Sequence, residues 1–569
     1  MSAQPWIQSY PAGVRWDSPL PTGPIHAVLE TAANTWPDRP AIDFMGRRIS
    51  YSELLDLSLR AAKGFQAIGV GPGVHVGLYL VNSPHYAIAF FGVLLAGGVV
   101  VNYSPLDAEK VLEHKVGDSQ TDILVTLDLD ALYPKMVRLL KTTRLKKLVV
   151  GHLGDFAARP EAVRAGLQQA GQLATVAWDA RQLSFDSLLD NDGQPVRHAF
   201  GDPAETLAIL QYTGGTTGAP KGAMLTHANV TAACSSFCVT ITGEQPVIEF
   251  GRERMLSVLP LFHIYALLMN LVIAVRIGAE VVLHTRFDAE AVLKDLVDKQ
   301  VTMFSGVPTM YVALLALPGF DQADFSSLKV CNVGGAPLPP ALNAEFKRRA
   351  NLYLNEGWGM TETSPAGTFT PVVGERRNGS CGLPMPGITI SMRSVDDPLQ
   401  EVPPGQRGEM CLRGPNVMKG YWNNPQATAD VMTPDGFLRT GDVAIMAEDG
   451  FVTIVDRTKD MILCAGFNVY PRNVEAAIYE HPSVAEVMVI GIPDDYTGQA
   501  PKAYLTLKPG AEPFSLQELQ HFLKDRLGKQ EMVRALEIRG ELPKTAVGKL
   551  SKKDLYEEQT RVQSAGRRP

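Results

Sequence analysis

The sequence predicts an α/β protein in two unequal parts: a large N-terminal α/β region carrying a β-rich subdomain, then a small C-terminal α+β domain. Three observations predict it. Helix and strand signals alternate from Ser50 to Gly151, the rhythm of a parallel sheet with helical crossovers. After Ile388 the texture changes to short β-like segments (GITISMRSV, GEMCLRG, FVTIVD) between Gly, Pro and Asp turns. Beyond Asp456 follows a compact mixed segment, long enough for a domain of its own.

The elements follow in order. Ser50 with Glu53 reads as a capping box, with Leu54, Leu57, Ala61, Phe65 and Ile68 at helical spacing and Gly69 as the stop. Val74 to Val81 reads as a buried strand, and Ser83-Pro84 opens the next helix with Pro at its first position. Val99 to Val101, Asp122 to Leu127 and Lys147 to Gly151 supply further strands. Between Gly154 and Gly201 the pattern loosens and assigns no element. In the last part a helix starts near Pro471, strands follow at VAEVMVIG and YLTLK, and Ser515 with Glu518 opens another helix. No tandem repeat is visible.

Composition narrows the function. The 569 residues are 45% hydrophobic and 20% charged, which excludes a disordered, collagenous or coiled-coil chain. Basic residues number 53 against 60 acidic, a net charge of -7, so a dedicated nucleic-acid binder is not expected. The six cysteines (Cys234, Cys238, Cys331, Cys381, Cys411, Cys464) form no C-x-x-C pair and read as buried free thiols. The start, MSAQPWIQSYPAG, has neither the basic nor the apolar region of a signal peptide. The longest apolar run, Ala87 to Val101, is too short to span a membrane. A soluble, cytoplasmic protein is expected. The run Lys135, Arg138, Lys141, Arg144, Lys146 and Lys147 has no acid within it. It reads as a solvated face, with peripheral contact to the inner face of an anionic membrane as the alternative.

The most informative stretch runs from Tyr212 through Thr213, Gly214, Gly215, Thr216, Thr217 and Gly218 to Lys221 and Gly222, after an apolar strand-like LAIL. Such a loop has little side-chain bulk. Its backbone N–H groups can converge on phosphate oxygens while Lys221 adds positive charge. It is not a Walker loop, because Pro220 stands directly before the lysine.

This loop resembles the phosphate loop of the adenylate-forming superfamily, which includes acyl-CoA synthetases, amino-acid adenylation domains and firefly luciferase. The other superfamily motifs follow in order: NEGWGMTET from Asn355, RTGD to Asp442, DRTKD from Asp456, GFNVYP from Gly466, and PKTAVGK to Lys549. The likeness runs from Thr31 to Leu555. Within the superfamily it is strongest to bacterial long-chain fatty-acyl-CoA synthetases, at GAMLTHANV, RGPNVMKGYWNNP and KDMILCAGFNVYP.

The resemblance implies an ATP-dependent ligase that forms an acyl-adenylate and passes the acyl group to coenzyme A. It implies that Thr213 to Gly218 and Lys221 hold the β- and γ-phosphates, and that Thr361 contacts the α-phosphate. Glu362, with Thr213, would bind Mg²⁺, which prefers hard oxygen ligands. Asp442 and Arg457 would take the ribose. Adenine would lie between Trp358, in the Glu356-Gly357-Trp358-Gly359-Met360 run, and Gly334-Gly335-Ala336-Pro337. His263 would sit beside the carboxylate and acyl pocket in a positioning role. Lys549 would act in adenylation, Lys459 would be the hinge, and Gly466 with Phe467 would line the coenzyme A tunnel. Residues 1–456 then form the ATP- and acyl-binding domain, 457–460 the hinge and 461–569 a mobile C-terminal domain. Cys464-Ala465 departs from the Ser or Gly common in relatives, and the segment from Gly528 to Arg534 lacks a Pro often found there.

The segments from Ala232 to Phe237, Tyr265 to Leu268 and Ser305 to Pro308 are apolar or small, which suits a medium- or long-chain aliphatic tail. Alternatives are an aryl-acid ligase, a dicarboxylic-acid ligase using Arg276 or Arg286, and a non-catalytic acyl- or nucleotide-binding protein. Homodimerisation is left open.

Overall fold

The computed structural model describes residues 4–213, 220–464, 467–494, 497–545 and 548–566. Among these residues two large sheets build the N-terminal part. One has eight strands in the order Gly420–Tyr421, Gly222–Thr226, Leu207–Tyr212, Val99–Asn102, His75–Leu78, Ile123–Leu127, Lys147–Gly151 and Gln182–Ser184. From Leu207–Tyr212 outward to Gln182–Ser184 every pairing is parallel; the two strands at the other end are antiparallel. The second has nine strands, with Arg254–Ser257, Met303–Gly306, Val330–Val333 and Leu354–Trp358 parallel neighbours at its centre.

Burial explains the apolar run. Pro84–Leu95 is one helix with every residue buried, so its continuous hydrophobicity marks a core helix between layers. No helix among the described residues is long and apolar enough to cross a membrane. Ser50 does cap the next helix, accepting from the Glu53 N–H at 3.1 Å. The reciprocal half is lost because the Glu53 carboxylate pairs with Arg47. Ser515 and Glu518 make both halves of their box. The stretch with no assigned element contains the helix Pro160–Gln169, with no buried residue, the edge strand Gln182–Ser184 and the short helix Phe185–Leu189. The apolar stripe of Pro160–Gln169 is only Val163 and Leu167, half-buried at i and i+4, too narrow to mark a helix.

The β-like segments after Ile388 pair as an antiparallel sheet of Thr389–Arg393, Arg407–Arg413, Leu438–Met446 and Val452–Arg457. A further sheet groups Phe467–Val469, Ile462–Cys464, Gly498–Leu507 and Val484–Asp494, with Ala535–Ile538 on its flank. The largest hydrophobic core runs from Trp6 to Val452, and a separate one begins at Ile462. All six cysteines are free and buried.

The basic run is not the uncompensated face that its sequence suggests. Arg138 pairs with Glu109, and Arg144 and Lys146 both pair with Asp122. These acids are distant in sequence and adjacent in space.

Candidate active site

The chemistry-bearing segments leave the carboxyl ends of parallel strands, where open α/β sheets bind ligands. The glycine-rich loop follows Leu207–Tyr212, the His263 segment follows Arg254–Ser257, Gly334 to Pro337 follow Val330–Val333, and Gly359 to Glu362 follow Leu354–Trp358.

The glycine-rich loop is framed by Thr213 and Lys221. The Thr213 N–H donates to the Lys221 carbonyl at 2.9 Å, closing the base of the loop. Gly214, Gly215, Thr216, Thr217 and Gly218 lie outside the described residues. Lys221 is exposed, and its Nζ sits 5.1 Å from the centre of the Tyr421 ring. Thr361 to Thr363 form one 3₁₀ turn that buries Glu362 to 6% exposure. The Tyr421 hydroxyl donates to Glu362 Oε1 at 2.7 Å. Burial raises the Glu362 pKa, with Tyr421, Arg457 and Lys221 opposing it.

The magnesium fit follows from this donor set. A nearly buried carboxylate near Arg457 and Lys221 offers hard oxygen ligands, as Mg²⁺ requires when phosphates complete its shell. No cluster of three or more His, Cys, Asp or Glu among the described residues could hold a metal by itself. The ion fits as a companion of the nucleotide.

The Asp442 end of the cleft is cross-braced. Asp442 is 4% exposed; its Oδ1 pairs with Arg457 Nε at 3.0 Å and its Oδ2 accepts from the Trp358 indole N–H at 2.7 Å. Asp442 in turn raises the Arg457 pKa. The Trp358 ring covers Gly367, where a Cβ would overlap it. Glu356 accepts from the Leu338 N–H at 3.2 Å, and burial raises its pKa to about 7. Gly357 packs against the Phe369 ring, and a Cβ on Gly359 would overlap the Pro365 carbonyl. The Met360 N–H is capped by Thr363.

Lys549 enters from the C-terminal part. Its stem lies on Gly335, where a Cβ would overlap Lys549 Cε, and Gly335 also has a positive φ of 77°. Gly334 lies against the Tyr265 ring. The turn carrying the lysine is closed by the Thr545 N–H on the Lys549 carbonyl at 2.6 Å. The Thr309 hydroxyl anchors it across the cleft by donating to the Gly548 carbonyl at 3.0 Å. Burial and then Arg457 lower the Lys549 pKa to about 8.

Burial, assisted by Lys549, lowers the His263 pKa to about 3, so the imidazole is neutral near pH 7. Its Nδ1 accepts from the Tyr265 N–H at 3.3 Å, which leaves the proton on Nε2. His263 caps a buried helix that widens into π turns over Leu267–Ile273 and packs against His227–Ile241. Such widened turns recur at functional sites.

The structure thus brings together Lys221, Glu362, Trp358, Asp442, Arg457, Gly335, His263 and Lys549. Gly466 and the side chains of Lys459 and Phe467 lie outside the described residues. Sequence reasoning missed Tyr421, the Trp358–Asp442 bond and the Thr309 anchor. Tyr421 stands inside GYWNNP, a motif that carried the resemblance but suggested no chemistry of its own.

Comparison with known proteins gives a single answer. The model of the AMP-binding enzyme family matches residues 29–422, and that of the AMP-binding enzyme C-terminal domain matches 473–549. A long-chain-fatty-acid–CoA ligase of Bacillus subtilis (strain 168) is 36% identical over 98% of this chain and 99% of its own. One of Escherichia coli O157:H7 is 36% identical over 97% and 98%. Among solved structures, ATP-bound MatB from Rhodopseudomonas palustris superposes with a TM-score of 0.81 at 25% identity, covering 95% of this chain and 100% of that one. The anthranilate CoA ligase AuaEII with anthranoyl-AMP gives 0.82 at 25% identity, over 96% and 99%. Spanning nearly the full length of these relatives and matched by both models, the chain belongs to the AMP-binding enzyme family.

Proposed function

We propose that this protein is an acid–thiol ligase that activates a medium- or long-chain fatty acid with ATP and transfers it to coenzyme A. In the first step a carboxylate oxygen attacks the α-phosphorus and pyrophosphate leaves. In the second the coenzyme A sulfur attacks the acyl carbonyl, its thiol proton is lost to solvent, and AMP leaves. The observation that carries this reading is Lys549, brought from the C-terminal part into a cleft already holding Asp442, Glu362 and His263.

The roles follow from the geometry. Lys549 neutralises charge while two anionic groups are forced together, a contribution that is large in a dry site. His263, neutral with its proton on Nε2, donates a hydrogen bond and orients the carboxylate; it transfers no proton. Thr361 contacts the α-phosphate, and Thr213 to Gly218 with Lys221 hold the outer phosphates. Glu362 and Thr213 would hold Mg²⁺, whose charge would neutralise phosphate oxygens. Asp442 and Arg457 take the ribose, and Glu356 to Met360 with Gly334 to Pro337 enclose adenine. We take 457–460 as the hinge about which 461–569 turns to exchange Lys549 for the Gly466 and Phe467 segment, with Lys459 at the pivot. Peripheral membrane contact rests on those cations of the 135–147 run that Glu109 and Asp122 do not engage.

The fatty-acid reading is supported by the buried helices behind His263 and by the names of the relatives. Pyrophosphate release with saturated acids of increasing length, benzoates and dicarboxylates tests it. kcat/KM is expected to rise with chain length up to a limit, each buried methylene adding at most about 0.8 kcal/mol. Benzoates or dicarboxylates outrunning every aliphatic acid would make it an aryl or dicarboxylate ligase. Any acid-dependent release removes the non-catalytic reading.

A further inference from the structure

The segment 414–422 fastens the metal carboxylate to the phosphate loop. Asn416 Nδ2 donates to the carbonyls of Thr363 and Ala366, both at 2.7 Å, and the Met418 N–H donates to the Glu362 carbonyl at 2.8 Å. The main chain of the Glu362 turn is therefore held from one side. Gly420–Tyr421 then pairs antiparallel with Ala223 and Met224, on the strand that begins at Gly222, just after Lys221. One residue spans the two: the Tyr421 hydroxyl reaches Glu362 and its ring faces Lys221.

We propose that Tyr421 is a positioning residue for metal–nucleotide binding, its hydroxyl aiming the Glu362 carboxylate and its ring seating Lys221 so that both meet the same phosphates. This rests on the reading of Glu362 as the metal carboxylate. A phenol has one hydrogen to give, and here it is given to Glu362 Oε1. The ammonium lies within the range of attraction to an aromatic face. A carboxylate free to rotate would meet the metal in several geometries, and the tie to Tyr421 selects one. The two tasks separate chemically, since phenylalanine keeps the ring and loses the hydroxyl, while leucine loses both.

The experiment uses the full-length chain and calorimetric titration of ATP, once in EDTA and once with Mg²⁺. Wild type, Tyr421→Phe, Tyr421→Leu and Glu362→Gln are compared, with thermal melts alongside. Tyr421→Phe is expected to lose about ten- to a hundredfold of the affinity that Mg²⁺ adds, as for a hydrogen bond to a charged group, and to keep wild-type affinity for metal-free ATP. Its pyrophosphate release should need more Mg²⁺ for half-saturation and recover at excess Mg²⁺. Tyr421→Leu should weaken metal-free ATP as well. If Tyr421→Phe keeps the full Mg²⁺ effect while Glu362→Gln loses it, the positioning role is wrong and the metal reading stands. Should neither variant change the Mg²⁺ effect, the Glu362 assignment falls and takes the proposal with it. A lower melting temperature with an intact Mg²⁺ effect reduces Tyr421 to a packing residue and overturns the proposal.

Discussion

The two sides of the cleft are built differently. On the side proposed to hold the nucleotide Asp442 has a partner on each oxygen, and Glu362 sits on a turn that Asn416 and Met418 hold by its main chain. These groups are buried on strands and tight turns of the large part. On the other side Lys549 stands on a loop whose described hold on the large part includes one hydroxyl, Thr309, and a notch made by a glycine. The braced side suits tight, lasting recognition of one ligand. The lightly held side suits a group that must arrive, act and leave. Binding and chemistry should therefore separate under mutation.

The largest effect is expected at Lys549. Lys549→Ala should slow acid-dependent pyrophosphate release by about 3 kcal/mol or more, the order measured for one preorganised electrostatic group. Its KM for ATP should change little, because the braced side is untouched. Supplied acyl-adenylate and coenzyme A should still give thioester at near the wild-type rate. Gly466→Leu, at the residue that by resemblance lines the coenzyme A path, should do the reverse. Equal loss of both half-reactions in each variant would break the separation.

Gly335→Ala comes next. The added Cβ meets the lysine stem, and the positive φ strains any non-glycine residue there. Since a strained substitution costs about 1 kcal/mol or more, adenylation should fall at least several-fold. The thioester step should again be spared. Measuring both half-reactions separates a blocked notch from a damaged adenine wall: if the wall fails, KM for ATP rises and kcat holds.

What could be read in the sequence follows the same division. The parallel-sheet rhythm, the β-rich segment and the motif order were legible because buried strands leave apolar runs and phosphate loops leave glycine. Lys221 and Glu362 lie on turns at strand ends, whereas Asp442 and Glu356 lie within strands. What was not legible is long-range pairing. Nothing in the Lys135–Lys147 run announces Glu109 and Asp122, and nothing in RTGD announces that Trp358 donates to Asp442. Thr309 stands more than two hundred residues from Gly548, so its anchoring role had no local signal. Helix Pro160–Gln169, whose inward face is only the half-buried Val163 and Leu167, left a weak pattern.

A pH profile sharpens the comparison on the lysine side. Lys549 in the cleft has its pKa lowered from 10.5 to about 8, so its charge is present below that value and lost as pH rises through it. kcat/KM for adenylation, which reports the free enzyme, should show an alkaline limb near pH 8. Lys549→Arg should be slower but should lose that limb, because guanidinium keeps its proton. A limb unchanged by the arginine would assign it to another group.

The smallest expected effect is at Thr309. Its hydroxyl donates across the cleft to the Gly548 carbonyl, one residue before the lysine. Thr309→Val keeps the branched shape and removes the donor, which costs about 1 kcal/mol for a neutral hydrogen bond. Part of that cost is recovered if water reaches the carbonyl, so adenylation should slow by about threefold to fivefold. The effect should appear in kcat and leave KM for ATP unchanged, since the anchor bears only on how often the lysine is docked. Thr309→Ser, which restores the donor, should return the rate. The thioester step should be unchanged or slightly faster, because loosening the docked lysine favours its departure. A rise in KM for ATP with kcat intact would place Thr309 on the braced side of the cleft and move the boundary between binding and chemistry drawn here.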